Sequence, residues 1–177
     1  VTLLPIGRAA DVPVPLLVTA PSRTFTPPAV GHPVGVTLGN RPDGTWQGVA
    51  TLVGFDIEPE AVRPGDTLTV TLVWRAEAET RTSYRVFLHL RAADGALVAQ
   101  SDGVPADWSR PTTGWVPGEY IADRRVLSIP PNAPPGPYTL SVGLYVVDPR
   151  SLMTTERLVT SDGADVLQIV VVPAGNP

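Results

Sequence analysis

The 177-residue chain contains no cysteine. Disulfides, thiolate metal sites and cysteine nucleophiles are therefore excluded, although the compartment is not fixed, because many exported proteins also lack the residue. Lysine is absent too, so all 13 basic side chains are arginine. A net charge of −4 argues against nucleic acid, which needs a basic face. No apolar run is long enough to span a bilayer, and no segment has the charged start and apolar core of a signal peptide. Glycine-rich phosphate loops, zinc-ligand spacings and basic amphipathic helices are missing as well, which speaks against a nucleotide-dependent enzyme. Helical periodicity is almost absent. With 21 proline and 16 glycine residues, only a weak stripe around Leu152 to Val159 remains.

What the chain does have is turns, each followed by an alternating run. Three Pro-Gly pairs, at Gly65, Gly118 and Gly136, precede TLTVTLVW, YIADRRVLSI and YTLSVGLYVV. Proline presets φ for a turn and glycine supplies the positive φ that follows, so each pair launches a strand. Within 67–74, Leu68, Val70, Leu72 and Trp74 share one face while threonines occupy the other. Positions 84–90 repeat the alternation, with Tyr84, Val86, Leu88 and Leu90 inward and Arg85, Phe87 and His89 outward. These are half-buried antiparallel strands. Asp94-Gly95 reads as a hairpin turn into ALVAQ. ATLVGFDI is a short strand bent at Gly54, and 166–172 a closing one.

The expected fold is all-β: an immunoglobulin-like antiparallel β-sandwich of about seven core strands. It carries a Pro-rich N-terminal extension over 1–49, with edge strands at 14–19 and 34–38 packed on the sandwich domain of 50–177. Asp148 to Asp165 reads as a wide connection. A start at Val1 rather than Met suits a processed or excised domain of something longer.

The segments VGVTLGN, LVGFDIEPEAVRPGDTLTVTLVW, VFLHLRAADGALVAQSDGVP, TTGWVPGEYIADRRVLSIP and PPGPYTLSVGLY together carry a resemblance. From residue 32 onward the chain resembles a β-sandwich domain of bacterial exported proteins, also found C-terminal to multi-pass membrane glycosyltransferase-like proteins. The resemblance implies an extracytoplasmic accessory module with no catalytic chemistry, partnered by other domains of a larger protein or by cell-surface components. After Leu144 this chain departs from the pattern with DPRSLMTTERLVTSDGAD, a longer insertion.

Residues 101–118 (SDGVPADWSRPTTGWVPG) form a long aperiodic loop, and two tryptophans argue against its being disordered. Trp108 and Trp115, with Tyr120, are candidates for an aromatic platform under sugar rings. Asp107, Arg110, Thr112 and Thr113 would supply polar partners. The competing reading buries Trp115 as a cap on the open end of the sandwich. Asp102 and Asp107 are hard oxygen ligands suited to calcium, but no Asp-x-Asp-x-Asp-Gly spacing supports them, so no cofactor is expected. Glu119 and Asp66 each follow a Pro-Gly pair and are expected to accept turn amides. Asp123, beside Arg125, is expected to pair with a cross-strand arginine. His32 and His89 are the chain's two histidines, and no Gly-x-Ser-x-Gly elbow accompanies them. The expectation is a binding or interaction module, not an enzyme.

Overall fold

In the computed structural model, which describes residues 22–148 and 150–172, the alternation of the central strand dictates its placement. β3 (Thr67–Ala76) buries Leu68, Val70, Leu72 and Trp74 completely. On one side it pairs with β2 (Gln47–Glu58), which pairs in turn with β1 (His32–Asn40). On the other it pairs with β6 (Tyr120–Ser128), so the first sheet runs β1-β2-β3-β6. The second sheet is built on β4 (Arg85–Arg91), flanked by β5 (Leu97–Gln100) and β7 (Tyr138–Val147). β8 (Thr154–Arg157) and β9 (Leu167–Val172) both pair with β7. All pairings are antiparallel, and the two sheets of four and five strands make a β-sandwich. β6 returns to β3 and β7 to β4, the long returns of a Greek key. Tyr84, Val86, Leu88 and Leu90 meet the β3 residues in one core with Tyr138, Leu140, Val142 and Leu144. Among the described residues no helix is long and apolar enough to cross a membrane.

Several expectations need correction. The wide connection after Asp148 contains β8, not a loose loop or a helical stripe. Leu152 and Met153, which such a stripe would bury, are 73% and 67% exposed. Beyond β8, Leu158 is buried and Val159 exchanges two 2.8 Å backbone hydrogen bonds with Gly39, joining the insertion to the first sheet. Trp46 donates its indole N–H to the same Val159 carbonyl at 3.1 Å.

Gly65 (φ +95°) and Gly118 (φ +82°) have the positive φ expected of Pro-Gly turns, but Gly136 does not. Pro137 follows it, and a residue before proline is pushed toward extended conformations. Phe87 faces outward as the alternation requires, yet it is only 3% exposed. Its cross-strand partner is Gly143, whose missing side chain leaves room for the ring to lie down. β2 shifts register between Leu52 and Gly54, where a β-carbon would stand 2.6 Å from the His32 carbonyl oxygen. The strand read at 14–19 lies outside the described residues.

Candidate functional site

The loop after β5 first behaves as more strand. Leu88 and Ser101 exchange backbone hydrogen bonds of 3.2 and 2.9 Å, and Val86 and Gly103 exchange two of 2.9 Å. This ladder puts Asp102 on the same outer face as Phe87 and His89, and Ser101 on the opposite one. The chain then reverses hand. Ala106, Asp107 and Trp108 have φ of +52°, +50° and +67°, a left-handed turn made without glycine. Such residues are uncommon singly, and three in succession must be held by their surroundings.

The holding group is a buried ion pair. Asp123 is fully buried and accepts a hydrogen bond from the Ala106 amide at 2.8 Å. The Arg125 Nε donates to both Asp123 oxygens at 2.9 and 3.0 Å. Its Nη2 donates to the carbonyls of Gly103 and Val104 at 3.1 and 3.3 Å. Asp123 therefore pairs with its own strand neighbour, not with a cross-strand arginine. The two residues stand two apart on one face of β6, and the loop carbonyls complete the guanidinium's bonds.

This turn pushes Trp108 outward, leaving it 57% exposed. Its indole rests on Gly103, where a β-carbon would come within 3.2 Å of three ring atoms. The Arg85 guanidinium lies 5.2 Å from the ring centre. Beside the indole is a depression of about 480 Å³, lined by Ser101, Asp102, Asp107, Arg124 and Val126. The carboxylates can accept hydroxyl hydrogen bonds and exposed Arg124 can donate them.

At the other end of the loop the side chains pack inward, beside a separate depression of about 510 Å³ lined by Arg23, Glu79, Arg81, Thr113 and Trp115. Trp115 is 3% exposed and donates its indole N–H to the Arg110 carbonyl at 2.9 Å. Thr112, buried in a 3-10 turn (Thr112–Gly114), accepts from the Tyr84 amide at 2.9 Å and donates to the Thr82 carbonyl at 2.8 Å. Glu119 is fully buried and accepts from Arg23 at 2.6 Å, from the Val116 amide at 3.1 Å and from Arg110. The turn role expected of Glu119 is thus present, as it is for Asp66, which accepts from the Arg63 amide at 2.8 Å. Two arginines on Glu119 were not foreseen.

Of the expected ligand residues, Trp108 and Asp107 stand together at the depression. Arg110 and Trp115 belong to the inward-packed end. Tyr120 is half-buried at the start of β6, its amide donating to the Thr24 carbonyl at 2.7 Å. Arg85, Ser101, Arg124 and Val126 were missed. Outward parity along β4 and β6 was the available signal for Arg85, Arg124 and Val126. Asp102 and Asp107 both line the depression, but Asp102 is 3.2 Å from His89 Nε2. Among the described residues no group of three or more His, Asp or Glu side chains could hold a metal. His32, the other histidine, stacks on Phe55 with ring centres 4.8 Å apart.

No family model and no curated protein matches the sequence. Several solved structures resemble the chain. The C-terminal domain of Wzt does so with a TM-score of 0.48 and 18% identity, over 78% of this chain and 89% of that one. Spo0M, a sporulation control protein from Bacillus subtilis, does so with a TM-score of 0.35 and 18% identity. That match covers 73% of this chain and 51% of the other. Both likenesses are distant and concern the β-rich fold alone.

Proposed function

We propose that this domain is a non-catalytic accessory module of a larger bacterial membrane or cell-surface protein, working on the extracytoplasmic side. Its ligand site is the Trp108 ledge, and its ligand class is glycans. The observation that carries this reading is an exposed indole raised on a left-handed turn beside two carboxylates and an arginine. Backbone strain of this kind persists where surrounding structure enforces it, and it clusters at binding sites. A pyranose presents an apolar C–H face that matches an indole, and its hydroxyls match the neighbouring polar groups.

The test is glycan-array binding by the wild-type protein and by Trp108→Ala. Wild type is expected to bind, and the variant to lose binding at an unchanged or higher melting temperature. Binding to no glycan would overturn the glycan reading, and capture of a protein partner instead would replace it. Localisation is checked by fractionating cells that carry the full-length gene.

A further inference from the structure

The polar surface around Trp108 does not end at the loop. Asp102 also lines a second, shallower depression of about 180 Å³ on the outer face of the second sheet. Its other walls are His89, Gln100, Tyr145, Thr154 and Arg157, and Phe87 lies at its base. That base exists because Gly143 faces Phe87 across the ladder. A β-carbon on Gly143 would approach the ring to 2.4 Å, so only glycine lets the phenyl lie flat. His89 and Tyr145 flank the phenyl with ring centres 5.0 and 6.2 Å away, and Arg157 sits 5.1 Å from its centre.

Arg85 connects the two depressions. It pairs with Tyr145 across the ladder and reaches the Trp108 ring. Gln100, Asp102 and Thr154 place amide, carboxylate and hydroxyl groups along the margin, and Gln100 and Thr154 are exposed.

Resting on the glycan reading of Trp108, we propose that these depressions are two subsites of one track. Its ligand is then an oligosaccharide segment, not a single sugar. Gln100 and Thr154 stand on the outer two of four adjacent strands, β5, β4, β7 and β8, three spacings or about 14 Å apart across the sheet. One pyranose ring cannot span that width. An extended peptide would gain little here, because the backbone groups of β4 and β7 are already paired with strands on both sides. The open indole of Trp108, continued by hydroxyl-matching margins around the second depression, suits a sugar chain lying across the strands.

The experiment uses the 177-residue protein on a printed glycan array that carries monosaccharides and oligosaccharides. Calorimetry then follows with the best oligosaccharide and its shortened fragments. Affinity is expected to rise at least about tenfold from the monosaccharide to a three- or four-unit chain. The double variant Gln100→Ala/Thr154→Ala, confined to exposed side chains, is expected to weaken the long ligand by about threefold or more and to spare the short one. Trp108→Ala should remove both. Affinity independent of chain length, or a double variant that binds the long ligand like wild type, would overturn the two-subsite track and leave the Trp108 site standing. No binding to any printed glycan would overturn both proposals.

Discussion

Ala106, Asp107 and Trp108 each hold a conformation that costs an L-residue about 1–2 kcal/mol relative to the right-handed form. Glycine bears no such cost, so Ala106→Gly should stabilise the protein by about 0.5–1 kcal/mol after its extra unfolded-state entropy is counted. The denaturation midpoint reads this directly, and a lower midpoint would mean that the turn is not strained. Glu119 makes the opposite case. Its carboxylate is fully buried under Arg23 and Arg110, so Glu119→Gln removes charge while keeping shape. The arginines still reach solvent, which limits the expected loss to about 2 kcal/mol. Glycan affinity should not change, because Glu119 does not line the Trp108 depression. At this scale the sequence was only half legible. Composition marked the loop and both tryptophans, but the exposure of Trp108 over Trp115 depends on backbone hand. Neither glycine nor asparagine occupies the left-handed turn to announce it.

At the scale of elements, strands with strict alternation were readable because burying one face selects a single register. β3 and β4 lie where Leu68–Trp74 and Tyr84–Leu90 required. β8 was not readable. It is four residues long, all exposed, and it owes its existence to pairing with β7 rather than to any apolar face of its own. The burial of Phe87 was equally hidden, since it depends on a glycine more than fifty residues away in sequence and opposite in space. Gly143→Ala tests that dependence. The new methyl would meet the phenyl ring at 2.4 Å and the Asp165 carbonyl oxygen at 2.9 Å. Overpacking of this sort costs about 1–3 kcal/mol, and the displaced ring should also raise the base of the second depression. A urea midpoint equal to wild type would show that Phe87 has a second resting place.

For the whole molecule, the two sheets and the insertion are tied together through buried phenols. Tyr84 is 1% exposed, and its hydroxyl accepts from Asn40 of β1 at 3.1 Å and lies 3.5 Å from Glu156 of β8. Tyr138 is fully buried and donates to the Pro134 carbonyl at 2.6 Å. Burial raises both above the ordinary tyrosine value of 10.0, and for Tyr84 the Glu156 charge adds to it while Asn40 and Thr82 oppose. Tyr145 is raised as well, by burial first and then by the Asp102 charge. Below about pH 10 these phenols are protonated whether the chain is folded or not, and their stabilising contribution is complete. As pH rises past that point the unfolded chain ionises them while the folded chain resists, so stability falls until the folded values are passed. Each phenol contributes at most about 1.4 kcal/mol per pH unit to that decline. The urea midpoint should therefore hold near pH 9 and drop as pH rises past about 10. Tyr84→Phe lowers the plateau by removing a hydrogen bond but makes the decline shallower. Comparing slopes separates linkage from simple loss of contact. An equally steep decline in the variant would mean that Tyr84 ionises in the folded protein as freely as in the unfolded one.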